Sequence, residues 1–154
     1  MEYTIRTATT ADAPEMIALL PRLADFEAPA YRNPDHLWEG DLAMLQSWLD
    51  GENPDLIVVV AANERNQAIG VAITSLREEL LSHEPSSHLE VLAVAAEAEG
   101  KHIGSALLKA VEQRAQAAGA ASMSLHVFAN NTRARALYER LNYHGELMRY
   151  YKPL

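Results

Sequence analysis

The chain has 154 residues, 49% of them apolar, and a formal net charge of −8. This length and apolar share suit one domain with a proper core and exclude a disordered chain. With no cysteine there are no disulfides, thiolate metal sites or cysteine nucleophile; no apolar run reaches the roughly 20 residues of a membrane span, and the acidic balance argues against nucleic acid.

The elements follow in order. Tyr3–Thr7 alternates as a strand does. Thr9 and Asp12 are spaced as a capping-box pair, and Pro14 falls where a first helical turn tolerates proline. Met16, Leu19, Leu20 and Leu23 give that helix its apolar face. A second helix is predicted over 35–50, with Leu37, Trp38, Leu42, Leu45, Trp48 and Leu49 as its stripe and Gly51 and Pro54 as its stop. Leu56–Ala62 is continuously apolar and reads as a strand buried on both faces; Ala68–Leu76 returns beside it as a hairpin. Arg77–Ser87 is expected to be a loop, Met123–Phe128 a strand, Asn130–Leu141 a helix and Tyr143–Lys152 a last, tyrosine-rich strand. No repeat, linker or low-complexity tract interrupts the series.

Between them lies the stretch that organises the chain, HLEVLAVAAEAEGKHIGSALL over 88–108. Leu89, Val91, Leu92 and Val94 have the composition of a buried strand; 96–102 is polar and contains Gly100. From Ile103 onward, Ile103, Leu107 and Val111 recur at helical spacing, as do Gly104, Leu108 and Ala115. A strand, a glycine-bearing loop and a helix either make an ordinary connection or present unpaired N–H groups to an anion at the helix start. The stretch fits neither the Walker loop nor the dinucleotide-binding glycine fingerprint.

It resembles the core motif of the GNAT N-acetyltransferases, Gln/Arg-x-x-Gly-x-Gly/Ala, here Glu99-Gly100-Lys101-His102-Ile103-Gly104. Glu99 stands in place of Gln or Arg, and His102 in place of the first glycine. A second block follows in the right order: Ser124–Val127, then Asn131-Thr132-Arg133-Ala134-Arg135-Ala136-Leu137-Tyr138, similar to the family's Asn-x-x-Ala-x-x-Leu-Tyr; Asn142-Tyr143 replaces the usual Gly-Phe. The element order resembles the GNAT fold over essentially the whole chain. The resemblance implies an α/β (α+β) domain over 1–154, with a mixed, splayed central sheet flanked by about four helices.

It also implies acetyl transfer from acetyl-coenzyme A to a primary amine. The pyrophosphate is expected on backbone N–H groups of Glu99, Gly100, Lys101, His102, Ile103, Gly104, Ser105 and Ala106. Leu92, Ala93 and Val94 correspond to the bulged strand whose N–H polarises the thioester. Glu90 is a lone carboxylate in an apolar strand, so it is either a solvent-facing residue or a general base acting through water. His88 and His126 are alternative bases. Tyr138 corresponds to the general acid for the departing thiolate, against a plain core aromatic; Asn131 corresponds to a cofactor contact, a helix N-cap, or both. The remaining histidines show no paired spacing, so no metal is expected.

Residues 1–60 hold eleven acids against three bases, and the rest of the chain sums to zero. This is either a solvated face or an acidic mouth that attracts cations. The family places its acceptor there, and residues 5–27 with Leu89-Glu90 resemble the diamine and polyamine acetyltransferases. A cationic polyamine, diamine or lysine-like amine is therefore the expected small-molecule partner, with protein N-termini, aminoglycosides and amino-acid-like acceptors open. A degenerate, non-catalytic coenzyme A sensor is the alternative that Glu99 and His102 keep in play. Two further expectations are a cytoplasmic location, since MEYTIRTATTAD lacks the basic and apolar regions of a secretory leader, and a homodimer formed through the two tryptophans and the tyrosine-rich tail.

Overall fold

A computed structural model describes residues 2–154. Five strands form one sheet in the order β1 (Thr4–Thr7), β2 (Ile57–Ala62), β3 (Ala68–Glu78), β4 (Pro85–Val94), β5 (Met123–Leu125). Neighbours are antiparallel from β1 to β4, and β4 and β5 are parallel. Four α-helices flank it: α1 (Ala13–Leu19), α2 (Glu39–Leu49), α3 (Ile103–Ala117) and α4 (Thr132–Arg140). The mixed sheet, its splay after the first turns of β4 and the flanking helices match the expected fold class.

Consecutive residues are buried along β2 (Val58–Ala62) and β3 (Ala68–Ile73), so both faces of the sheet's centre are covered, as the unbroken apolar run of β2 requires. α3 seats Ile103, Leu107, Leu108 and Val111 in the core, all but inaccessible to water. Its close approach depends on Gly70 of β3, where a Cβ would lie 2.9 Å from Leu107 Cδ1 and 3.1 Å from Ile103 Cγ2. The start of α1 is fixed by the expected Thr9–Asp12 pair. Asp12 is buried, accepts the Thr9 N–H at 2.8 Å and receives both guanidinium arms of Arg6 at 2.8 Å. That pairing holds its carboxyl below the usual range, hydrogen bonding to Arg6 being the main cause.

Four expectations are corrected. α1 is shorter than its apolar stripe, because Pro21 converts Leu20–Ala24 into a 3-10 turn. The second helix breaks at Trp38 into a 3-10 turn over Pro34–Leu37 and α2. β4 begins at Pro85 rather than His88: Ser86 and Ser87 are buried, and their hydroxyls bond Ser122, so polar residues extend a strand that an apolar count would stop. The last expected strand, Tyr143–Lys152, does not form. Two of its tyrosines dock individually instead, and Tyr150 is exposed. Tyr143 Oη donates to Glu112 at 2.7 Å, and the Tyr151 ring stacks on Tyr31 with Arg32 3.8 Å above its centre. Trp38 and Trp48 are partly buried against the core.

Candidate active site

β4 is the axis of the site. Leu89 faces Thr74 and Val91 faces Ile73, so Glu90 is an extra residue with no partner, a β-bulge. Pairing with β5 covers only Ser87, His88 and Leu89, and the strands part beyond that point. The bulge thus lies at Glu90, before the Leu92–Val94 segment where it was expected. In that segment, Ala95 N–H bonds Ile69 O at 2.9 Å, so by alternation Ala93 also turns its backbone groups toward β3. Leu92 and Val94 are the two whose backbone groups face the open side.

Glu90 is not the isolated carboxylate that the sequence suggests. Its side chain is 14% exposed, and one oxygen accepts from Ser75 Oγ at 2.7 Å and from Arg77 at 2.6 Å, both on β3. Asp41 in the first turn of α2 lies close enough for the two charges to interact: burial, then the Glu90 charge, raises its carboxyl to about 6. His88 is buried beside them, with Nδ1 2.7 Å from Ser124 Oγ and its ring edge-on to His126, centroids 4.8 Å apart. Burial lowers its pKa, aided by Arg77 and His126 and opposed by Glu90. A neutral, hydrogen-bonded His88 reads as support for the strand ends.

β4 ends at Val94, roughly 13 Å beyond Glu90 at about 3.3 Å per residue, and the chain then turns through residues 96–102 into α3. Gly100 has φ 75° and His102 φ 61°, so the turn does require left-handed backbone at the position where the motif has its first glycine. No side chain caps α3; its first bond runs from Ala106 N–H to His102 O at 3.1 Å. Ala106 is thereby committed to the helix, which leaves the N–H groups of Ile103, Gly104 and Ser105 without helical acceptors. A Cβ on Gly104 would meet only Leu137 Cδ2 at 3.6 Å, so protein packing does not demand glycine there. Open donors beside a glycine with spare space fit an anionic group that comes close to the backbone.

Glu99 does not point into this cradle unopposed. One carboxylate oxygen accepts from Arg22, in the 3-10 turn after α1, and the other from Arg133 of α4 at 2.9 Å. Arg22 also donates to Val94 O at 3.1 Å and to Asp25 at 2.8 Å.

Asn131 is the N-cap of α4: its side chain accepts the Ala134 N–H at 3.3 Å. Leu137 brings the helix alongside the start of α3, next to Tyr138. Tyr138 is partly buried against the core, its ring edge-on to Tyr143 at 6.0 Å, and its hydroxyl has no hydrogen-bond partner among the described residues. Burial pushes it up to about 12, so it keeps its proton at neutral pH.

Two groupings therefore exist on one strand: Glu90 with Ser75, Arg77 and Asp41, and the Val94–Ser105 turn with Glu99, Arg22 and Arg133. Arg22, Arg77, Arg133 and Asp41 were not singled out in the sequence. Only Arg133, inside the second motif block, carried a usable signal. Among the described residues no three His, Asp or Glu side chains converge on a metal position, and no helix is long and apolar enough to cross a membrane.

Known proteins resemble this chain in sequence and in fold. A mycothiol acetyltransferase of Renibacterium salmoninarum is 30% identical over 100 residues, 65% of this chain but only 28% of that longer protein. Among solved structures, the aminoglycoside 6′-N-acetyltransferase of Acinetobacter baumannii superposes with a TM-score of 0.74 at 19% identity, covering 99% of each chain. The glucosamine-6-phosphate N-acetyltransferase of Arabidopsis thaliana does so at 0.70 and 15%, again over 99% of each. A transcriptional regulator of Bacillus halodurans scores 0.73 at 21%, over 97% of this chain and all of that one. At these identities the structures speak for the fold; the profile of the acetyltransferase (GNAT) family, which matches residues 20–143 and so takes in both ends of β4 and all of α4, speaks for the lineage, and this chain belongs to that family.

Proposed function

We propose that the protein, acting as one domain, transfers acetyl from acetyl-coenzyme A directly to a primary amine. The observation that carries this reading is the parting of β4 from β5 beside an uncapped α3, which leaves the β4 edge beyond Leu89 without a strand partner and the helix start without a side-chain cap. Backbone groups of Leu92 and Val94 are suited to hold the thioester arm, and the N–H groups of Ile103, Gly104 and Ser105 to hold the pyrophosphate. The cosubstrate supplies the activated acetyl group; the chain supplies position and proton transfer. Glu90 accepts the amine's proton, through a water, on the oxygen that Ser75 and Arg77 leave free. As the new N–C bond forms and the C–S bond breaks, Tyr138 passes its proton to sulfur.

The acceptor that fits best is cationic. Asp41 and Glu90 are two carboxylates near each other at the acceptor end, and a positive group between them relieves their repulsion. The acidic first sixty residues would draw such an amine in. Polyamines, diamines and lysine-like amines share this chemistry.

Release of free thiol from acetyl-coenzyme A, measured with a panel of amines, tests the reading. Wild type should turn over with cationic amines. Tyr138→Phe keeps the ring in place, so stability and acetyl-coenzyme A affinity should barely change. Its kcat and kcat/KM should fall together by about 10²–10⁴. Binding without turnover for any amine would favour a coenzyme A sensor instead.

A further inference from the structure

Glu99 puts a carboxylate where this fold binds phosphates, yet it carries two arginines with it. We infer that Arg133 is a side-chain ligand for the phosphates of coenzyme A, and that Glu99 and Arg22 are the positioning residues that hold it at the mouth; this rests on the acetyl-coenzyme A reading above. The charge that a Gln/Arg position would offer from the loop comes instead from α4.

Three observations converge. First, Arg22 is fully engaged: its Nε, Nη1 and Nη2 go to Val94 O, Asp25 and Glu99. It is 24% exposed and anchored to the end of β4, so Glu99 rests on a fixed base. Second, Arg133 is engaged through one nitrogen only. It is 72% exposed, and its other donors have no partner among the described residues. A guanidinium fork held at one corner can take a phosphate with the other, the geometry in which arginine exceeds lysine. Third, Arg133 sits in the first turn of α4, the helix end where a cation is disfavoured by the helix dipole. A cation placed against the dipole, held outward by a single ion pair beside the uncapped start of α3, contributes little to folding and is well placed for an anionic ligand.

The charges also sum sensibly. Asp25 balances Arg22 and Glu99 balances Arg133, so the cluster as a whole is neutral, with its exposed positive groups, Arg133 and the neighbouring Lys101, on the outer side. Neutralising Glu99 would weaken the one ion pair that holds Arg133 while Arg22 stays anchored to Val94 O and Asp25, so the Glu99 carboxylate assists phosphate binding by positioning Arg133.

The test is a calorimetric titration of coenzyme A, 3′-dephospho-coenzyme A and pantetheine into wild type, Arg133→Gln, Arg133→Lys, Glu99→Gln and the Arg133→Gln/Glu99→Gln double variant. Arg133→Gln should weaken coenzyme A about ten- to a hundredfold, the worth of a charge-assisted hydrogen bond. Pantetheine binding and the melting temperature should not change. Arg133→Lys should fall between the two. Glu99→Gln should also weaken coenzyme A, and the double variant should lose no more than Arg133→Gln alone. If the loss vanishes with the dephospho compound, the contact is to the 3′-phosphate; if it persists, to the pyrophosphate. Arg133→Gln binding coenzyme A like wild type, equal losses for pantetheine, or tighter binding by Glu99→Gln would each overturn the inference while leaving the acetyl-transfer reading intact. Failure of wild type to bind coenzyme A at all would overturn both.

Discussion

Two carboxylates, one in the middle of β4 and one in the turn that follows it, are each paired to arginine, and they are held differently. Glu90 is gripped by Ser75 and Arg77 of the adjacent strand, so its position follows from sheet register and the bulge. Glu99 lies beyond the sheet and is gripped by Arg22 and Arg133, from a 3-10 turn and a helix that share no ladder with it. A carboxylate fixed by cross-strand partners keeps one geometry, which proton transfer needs. A carboxylate shared between separate elements can let go of one partner, which suits a ligand that arrives and leaves.

Exchanging the chemistry at each end should separate the two roles. The largest effect is expected at the rigid end. Glu90→Gln keeps the Ser75 bond but cannot take a proton, so kcat should fall by about 10²–10⁴ while coenzyme A affinity holds. A variant that loses affinity and keeps kcat would reverse the assignment of the two ends.

Next comes the turn into α3. Gly104→Val places a branched side chain where the protein itself leaves space, with Leu137 3.6 Å from the Cβ. The fold should tolerate it, whereas coenzyme A binding, read by calorimetry, should weaken about tenfold or more because the backbone can no longer come close to the ligand. Unchanged affinity would move the phosphate site away from the start of α3.

The smallest effect is electrostatic and lies at the acceptor end. The Asp41 carboxyl is raised to about 6, so its ionised form is less stable in the fold than in the unfolded chain. Ionisation costs nothing below about pH 4, costs progressively more between about 4 and 6, and has its full cost above about 6. Asp41→Asn should therefore raise the melting temperature at pH 8 and leave it nearly unchanged at pH 4. The gain at the higher pH should be on the order of 1 kcal/mol. A gain that is equal at both values would mean that the charge beside Glu90 is not its source.

The sequence made the frame readable because the frame is apolar. β2, β3, the second half of β4 and α3 announce themselves through buried Val, Ile, Leu and Ala at fixed periods. The Thr9–Asp12 pair was readable too, because both members lie within one turn. What escaped was long-range and polar. Arg22 and Arg77 look like ordinary surface residues until folding places them against Glu99 and Glu90. The start of β4 escaped for the same reason, its serines being satisfied by Ser122 from a distant part of the chain. The tail was misread because tyrosine suits a strand and also suits solitary docking, and Tyr143 and Tyr151 do the latter.

Gly70 has a bearing on where the start of α3 sits, though it belongs to the sheet beneath it. The atoms that a methyl group there would strike belong to Leu107 and to Ile103, the residue that opens α3. Both are buried in the core and have little room to retreat. The height of the helix above the sheet, and with it the reach of the Ile103, Gly104 and Ser105 N–H groups, is thus set from beneath by the smallest side chain in β3. Position 70 is a spacer: a methyl group there would press on Leu107 and Ile103 and shift the first turn of α3 relative to the Val94 end of β4 without altering any residue of that turn.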